Sequence, residues 1–186
     1  MVTGFDMATA TTMSGTAFDQ LPYEEGRHLE LLQGEVITVA RPTPEHQIIV
    51  TILSGSLLDY FRREPGGVAL PDCEFALGED DRLCPDVAIL LRERWASVNR
   101  KKTPIPLAPD IAVEVLSPSE LAIDSMRKVW TYLDAGTREV WQFQPESQKV
   151  LIYRGAKSIT VLDIGDYLSS PLLPGWEISV REIFEG

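Results

Sequence analysis

Two acidic residues lie in segments that otherwise have the composition of buried strands. Glu114 stands among apolar residues in the run 111–116, and Asp86 directly precedes the apolar run 87–91. A carboxylate in such a strand is costly unless it is paired, hydrogen-bonded or bound to a metal ion. We predict that the strands of Asp86 and Glu114 are side by side in one sheet, and because side chains alternate along strands, both acids can then converge near one point. Two carboxylates with room for water suit a hard cation such as Mg²⁺.

Each acid also has an ordinary structural explanation. Either could be held by an Arg or a Lys, or could lie at a solvated end of its strand. These ordinary explanations are stronger for Asp86 than for Glu114. Asp86 follows Pro85 at a predicted strand start, where a solvated position is common.

The clearest predicted element is a helix over residues 44–61. Thr43 can cap it, Pro44 suits its first turn, and residues 64–67 (EPGG) end it. Its apolar residues recur at helical spacing: Ile49, Ile52, Leu53, Leu57, Tyr60 and Phe61. A second helix is predicted over about residues 120–135, with Gly136 at its C-terminal cap.

Short apolar runs predict strands before, between and after these helices. Residues 29–39 predict two strands around the turn Gln33-Gly34. Further strands are predicted at 68–70, 73–77, 83–91, 111–116, 139–143, 150–153 and 159–162. The order ββ–α–βββ–α–βββ predicts an α/β protein, with a mixed sheet flanked by helices rather than a sandwich or a bundle.

Composition restricts the class of protein. The 186 residues are 44% hydrophobic, which predicts a single packed domain over residues 18–186. Residues 1–17, rich in Thr, Ala, Ser and Gly, are expected to form a mobile leader. Apolar stretches are far shorter than the roughly 20 residues of a membrane span, and no signal-peptide pattern is present. With only two cysteines in the chain, we expect a cytoplasmic protein with reduced thiols.

Charge gives a mixed indication about nucleic acid. Seventeen basic against 28 acidic residues leave a net charge of −11, which argues against broad, nonspecific phosphate binding. Residues 92–102, however, contain a basic strip opposed only by Glu93, consisting of Arg92, Arg94, Arg100, Lys101 and Lys102. This strip either contacts a phosphate backbone or is a solvated loop, and the sequence favours neither.

Several motifs together resemble a known family. They comprise residues 28–35 (HLELLQGE), His46, Pro85-Asp86-Val87, residues 114–119 (EVLSPS), the series Asp124, Lys128, Tyr132, Gly136 and Trp141, and residues 173–176 (LPGW). From about residue 18 onward the chain resembles the Uma-two family, a branch of the PD-(D/E)xK nuclease superfamily. The resemblance implies a restriction endonuclease-like core with flanking helices and extra N- and C-terminal strands.

The resemblance also implies roles for particular residues. Asp86 and Glu114 would hold Mg²⁺, with Mn²⁺ as a substitute, and Glu30 would be a third acid at the site. The superfamily's lysine stands two residues after the glutamate, where this chain has Leu116. In the resembling branch a lysine of the following helix takes its place, which here is Lys128.

Alternatives remain for these added residues. Lys128 lies nearly opposite the apolar stripe formed by Met126, Val129, Trp130 and Leu133, which predicts a solvent-facing lysine as the alternative. Glu30 is otherwise a strand-edge glutamate.

Three further kinds of residue receive weaker predictions. His46 either orients a phosphate or a metal-bound water, or is structural or solvated. Glu74 could reach the pocket of Asp86. The four tryptophans are expected in the core rather than as base-stacking platforms.

The function expected from the sequence is hydrolysis of phosphodiester bonds in nucleic acid by a magnesium-dependent endonuclease. We expect DNA rather than RNA as the substrate and no membrane association. A homodimer would bring two copies of the basic strip to one groove. The main alternative is an inactive binding or scaffold protein that kept the fold. A glycosidase is a weaker one, because it explains two acids but not Lys128.

Overall fold

The computed structural model describes residues 12–22, 26, 28–118, 121–155 and 157–186. Its strands come in groups that are separated by helices. In chain order they are α1 (Gly15–Phe18), β1 (His28–Leu32), β2 (Glu35–Val39), α2 (Pro44–Arg63), β3 (Gly67–Pro71), β4 (Phe75–Ala76), β5 (Arg82–Leu83), β6 (Val87–Leu91), α3 (Arg92–Ser97), β7 (Ile111–Val115), α4 (Ala122–Asp134), β8 (Glu139–Gln144), β9 (Lys149–Tyr153), β10 (Ile159–Leu162), β11 (Tyr167–Ser169), β12 (Glu177–Ser179) and α5 (Val180–Glu185).

A six-stranded mixed sheet forms the centre of the fold. Its strand order is β10-β9-β8-β7-β6-β3, with β7 and β8 parallel and the other neighbours antiparallel. A smaller sheet of order β2-β1-β5-β4 and the hairpin β11-β12 complete the strands. The predicted α/β fold with a mixed sheet and flanking helices is therefore confirmed.

Helices cover both faces of the central sheet. On one face, α2 buries Ile49 and Leu53 in a core that includes Val87 and Ile89 of β6. On the other face, α4 packs Val129 and Tyr132 against residues of β7 and β8. Because side chains alternate along a strand, Ala88 and Leu90 of β6 belong to this second face, in a further apolar cluster. Glu114 of β7 is in phase with Ala112, which packs with α4, and therefore points toward the α4 side.

Local sequence signals explain how α2 and the first hairpin form. The Thr43 hydroxyl accepts a hydrogen bond from the backbone N–H of His46 at 3.2 Å, which caps α2 and fixes its first turn. Gln33 and Gly34 both have positive φ, 54° and 79°, the backbone that a two-residue hairpin turn requires. Both predicted elements are confirmed, and α2 ends two residues later than predicted.

The prediction of one continuous strand over residues 83–91 is wrong. The run is divided into β5, which joins the smaller sheet, and β6, which joins the central sheet. Cys84, Pro85 and Asp86 lie between the two strands. Proline has no N–H to donate to a strand ladder, so Pro85 favours this break, which leaves Asp86 at the entrance to β6.

The predicted leader is described only in part. Residues 1–11 lie outside the described residues. The helix α1 spans the predicted boundary at residue 18, Phe18 is buried, and the Met13 N–H donates to the Gly34 carbonyl at 2.7 Å. A mobile leader over 1–17 and a single domain over 18–186 stay predictions. Among the described residues, none of the helices is both long and apolar enough to cross a bilayer.

Candidate active site

Asp86 directly precedes β6, and Glu114 lies in the neighbouring strand β7. β6 and β7 pair antiparallel with Val87 opposite Val113, and continuing this register by one residue places Asp86 opposite Glu114. The Val115 N–H donates to Asp86 Oδ2 at 2.6 Å, so the carboxylate of Asp86 is tied to the Glu114 strand. The prediction that these two strands are side by side is confirmed.

Glu114 is buried and held by two groups from α4. The Tyr132 hydroxyl donates to Glu114 Oε1 at 2.7 Å, and Lys128 Nζ lies 3.5 Å from Glu114 Oε2. Lys128 and Tyr132 are four residues apart, so they share one face of the helix. The pair reaches Glu114 together and fixes both of its oxygens.

Lys128 is buried, so the alternative of a solvent-facing lysine is wrong. Its side chain is only 6% exposed, and Nζ lies 2.8 Å from Glu30 Oε2 as well as 3.5 Å from Glu114 Oε2. The buried face of α4 includes Ser125, Lys128, Val129 and Tyr132, and so differs from the predicted apolar stripe. The helix turns its lysine inward because two carboxylates compensate the buried charge.

Glu30 connects the smaller sheet to this group. It lies in β1, is 3% exposed, and accepts a hydrogen bond from the Cys84 N–H at 2.8 Å through Oε1. Its other oxygen, Oε2, faces Lys128. The alternative of a solvated strand-edge glutamate is therefore wrong. Glu30 binds the lysine and, through Cys84, the segment that carries Asp86.

His46 approaches Asp86 from the first turn of α2. Its Nε2 lies 3.0 Å from Asp86 Oδ1, and the residue is 9% exposed. The imidazole is therefore in contact with the carboxylate and restricts its orientation. The sequence proposed a role for His46 toward a phosphate or water but gave no sign of this partner.

These groups surround one cavity of about 390 Å³. Its lining includes His46, Asp86, Glu114 and Lys128, together with Ser117 and Asp124. The structure thus brings the predicted Asp86, Glu114 and Lys128 to one solvent-accessible cavity, and connects Glu30 to it through the lysine. Ser119, the last residue of the EVLSPS motif, lies outside the described residues.

Glu74 lies elsewhere. It lines another cavity, of about 430 Å³, with Cys73 and Trp95, and it is absent from the lining of the cavity that holds Asp86 and Glu114. Burial and the nearby Asp19 carboxylate raise the pKa of Glu74.

Two tryptophans confirm the expectation of core packing. Trp141 and Trp176 are buried and stack with ring centroids 5.5 Å apart. Trp95 instead carries the guanidinium of Arg100 over its ring at 4.3 Å. Within the basic strip, Arg94 is used by the fold, since it donates to the carbonyls of Ala108 and Gly136.

Burial determines the protonation of two groups beside the acids. The pKa of Tyr132 is well above its usual value, because the phenol is fully buried and the carboxylates of Glu114 and Glu30 lie close. The pKa of the Cys84 thiol is also strongly raised, by burial first and by the carboxylates of Asp72, Glu30 and Glu114. Tyr132 therefore remains a donor to Glu114, and Cys84 remains a thiol.

The donor set around Asp86 and Glu114 fits a hard divalent ion held by two carboxylates. Mg²⁺ binds through one or two carboxylates and keeps several of its waters. A carboxylate oxygen has two lone pairs, so it can bind an ion while it also accepts a hydrogen bond. Among the described residues no group of three or more His, Cys, Asp or Glu side chains could hold a metal ion, so the remaining ligands would be water or substrate.

A mixed sheet with an aspartate and a glutamate on adjacent central strands, and a lysine beside the glutamate, defines a restriction endonuclease-like protein. The chain belongs to the Uma2 family, described as "Putative restriction endonuclease", whose family model matches residues 16–181. The predicted family is thereby confirmed.

One solved structure shows the same fold. It is the crystal structure of "a putative nuclease belonging to DUF820" from Anabaena variabilis, which is 21% identical to this chain. The match covers 93% of this chain and 98% of the other, with a TM-score of 0.81. Among curated proteins, none matches this chain.

Proposed function

We propose that this protein is a metal-dependent nuclease that hydrolyses phosphodiester bonds in nucleic acid, DNA in particular. Asp86 and Glu114 would hold Mg²⁺, or Mn²⁺ in its place. The observation that carries the proposal is the group formed by these two opposed carboxylates and the Lys128 ammonium 3.5 Å from Glu114. The family description and the neighbour's title support it, since both name a nuclease.

The bound ion would supply Lewis acidity toward the scissile phosphate and a lower pKa for a coordinated water. The chain's own groups do the rest. Lys128 orients the attacking water or stabilises negative charge that builds on the phosphate in the transition state. Glu30 holds the lysine, and Tyr132 and His46 fix the orientations of Glu114 and Asp86.

An inactive binding protein remains the second candidate. The observation that favours it is the pairing of Lys128 with two carboxylates, which neutralises the charge that a catalytic lysine would offer. In that case the polar group is structural and the site has no affinity for divalent ions. The two candidates therefore differ in metal binding before they differ in activity.

Thermal unfolding with and without metal separates them. Mg²⁺ or Mn²⁺ at about 100 times its Kd should stabilise the folded protein by about 2.7 kcal/mol, a Tm increase of about 5–10 °C for a chain of this size. Asp86→Asn with Glu114→Gln should remove this increase. The control Asp163→Asn with Glu185→Gln neutralises two surface acids and should keep it. A full metal response in the Asp86/Glu114 double variant would show that the ion binds elsewhere.

Activity is then measured on single- and double-stranded DNA and RNA with Mg²⁺ or Mn²⁺. We expect cleavage by the wild type, retained in the surface control and lost in the Asp86/Glu114 double variant. A wild type that shows neither a metal-dependent Tm increase nor cleavage of any of these substrates would favour the binding protein.

A further inference from the structure

Two more cavities continue the active-site cavity away from Glu114. A cavity of about 420 Å³ shares His46, Cys84 and Asp86 with it. A third, of about 430 Å³, shares His28, Asp72 and Cys84 with the second. Because Cys84 lines all three, the cavities adjoin one another, and together they are called the cleft here, with Glu114 and Lys128 at one end.

The far end of this cleft has a different chemistry from its beginning. It is lined by Trp95, Asn99, Arg100 and Lys102. The Arg100 guanidinium lies over the Trp95 ring, with Cζ 4.3 Å from the ring centroid. Both planar groups are surfaces on which nucleic-acid bases stack. The far end therefore combines a stacking platform with cations.

The charges at the far end are available to a ligand. Arg100 and Lys102 are exposed, and in the described part of the chain neither makes an ion pair. Two acids, Asp72 and Glu74, line the same segment, so attraction of a phosphate depends on these two cations. This part of the basic strip thus differs from Arg94, whose guanidinium is used by the fold.

The lining of the far end indicates the class of ligand. In a duplex the faces of the bases are stacked on one another, whereas a single strand can expose them to an aromatic ring or a guanidinium. The ring of Trp95, the guanidinium of Arg100 and the ammonium of Lys102 at the far end therefore fit one strand with exposed bases.

We propose that the cleft binds a single-stranded segment of nucleic acid, with a base stacked at Trp95 and Arg100 and a phosphate bound by Arg100 and Lys102. The inference takes its choice of ligand from the proposed nuclease function and names the class of substrate. A single-stranded region would run from the far end to the carboxylates of Asp86 and Glu114.

Binding is tested in a form that cannot cleave. The full chain carrying Asp86→Asn and Glu114→Gln is titrated against a fluorescent single-stranded DNA of about a dozen nucleotides, and against the same sequence as a duplex. Adding Arg100→Ala and Lys102→Ala should weaken single-strand binding about 10-fold. The slope of log K against log salt should decrease in magnitude by about 0.7, the value for one lost phosphate contact on a single strand. Trp95→Phe should keep most of the affinity, because stacking needs an aromatic face rather than an indole.

The matched control removes two positive charges elsewhere. Lys149→Ala with Arg181→Ala changes the net charge equally, and both side chains form surface ion pairs away from the cleft. It should bind the single strand like its parent. Equal affinities for the Arg100/Lys102 variant and this control, a duplex bound as tightly as the single strand, or no binding by the parent would each overturn the proposal.

A small substrate separates this inference from the nuclease function. Bis(4-nitrophenyl) phosphate is a phosphodiester too short to reach Trp95. With Mn²⁺, the otherwise wild-type Arg100→Ala/Lys102→Ala protein should hydrolyse it at the wild-type rate, while its KM for the single strand rises about 10-fold. If the Arg100/Lys102 variant hydrolyses bis(4-nitrophenyl) phosphate and keeps the wild-type affinity for the single strand, the cleft proposal is wrong and the nuclease proposal stands. Affinity that depends on Arg100 and Lys102, without any hydrolysis, would support the cleft and count against the nuclease.

Discussion

The ammonium of Lys128 lies closer to Glu30 than to Glu114. Nζ is 2.8 Å from Glu30 Oε2 and 3.5 Å from Glu114 Oε2. The acid proposed to hold the metal is thus not the lysine's nearest partner. The carboxylate of Glu30 in β1 holds the lysine in place. In the proposed site, the lysine would therefore stay in position when Glu114 binds an ion.

Replacing Lys128 should affect stability and activity separately. Lys128→Met leaves two buried carboxylates without their cation and should destabilise the fold by about 3–5 kcal/mol. Adding Glu30→Gln removes one of the two charges and should restore part of that stability. Neither variant has the ammonium, so both should cleave nucleic acid about 100-fold more slowly or worse. Urea unfolding and initial cleavage rates are the two measurements.

The control for these variants is Lys149→Met, which removes a half-exposed lysine paired with Asp163 at the surface. Its cleavage rate should equal that of the wild type. If the Glu30→Gln/Lys128→Met protein folds and cleaves as fast as the wild type, the lysine has no part in the reaction.

Tyr132 offers a second test of how Glu114 is held. Tyr132→Phe removes the hydroxyl that donates to Glu114 at 2.7 Å and should cost about 1.5–3 kcal/mol, the usual range for a hydrogen bond to a charged group. The folded-state pKa of Tyr132 is raised, so this contribution is complete below the unfolded-state pKa near 10 and declines as the pH rises above it.

The measurement for Tyr132 is the difference in unfolding free energy between wild type and Tyr132→Phe from pH 7 to 11. Tyr167→Phe is the control, because Tyr167 is 61% exposed and its removal should change little. A difference near zero at pH 7 would mean that Glu114 does not depend on the phenol.

The sequence was sufficient to predict the pairing of the acidic strands. Glu114 and Asp86 each interrupt an apolar run, and a carboxylate there must have a partner. The orientation of Lys128 could not be predicted from the sequence, because hydrophobic periodicity places this lysine on the solvent-exposed face of its helix. The tertiary positions of Glu30, 98 residues earlier in the chain, and of Glu114 turn it inward.

Other features of the structure were not predicted from the sequence, for different physical reasons. The contact between His46 and Asp86 joins a helix start to a strand start, and a capping signal such as Thr43 predicts the helix but not its tertiary partner. The strands β11 and β12 have three residues each, too few for a period of two to be recognised. The break at Pro85 did have a signal, since proline disfavours the interior of a sheet.

Glu74 gives a stability prediction with a defined pH range. Burial and the negative charge of Asp19 raise its folded-state pKa, so ionisation destabilises the folded protein as the pH rises above the ordinary value near 4.5. Glu74→Gln should therefore melt higher than the wild type at pH 7, and the advantage should disappear near pH 4. Melting temperatures across this range provide the test. Glu79→Gln, at an exposed position, is the control. The same advantage at both pH values would contradict this explanation.

His46 should control metal affinity through Asp86. Its Nε2 lies 3.0 Å from Asp86 Oδ1 and holds the carboxylate that would bind the ion. Groups that orient a metal ligand in this way typically contribute 10–100-fold in affinity. His46→Leu should therefore weaken Mn²⁺ binding by about that factor in a calorimetric titration. His46→Gln, which keeps a side-chain N–H donor, should lose less. Ile48→Ala alters an exposed residue of the same helix and should bind Mn²⁺ like the wild type. If His46→Leu folds and its Mn²⁺ affinity is unchanged, the imidazole only packs against Asp86 and the ion does not depend on that carboxylate's orientation.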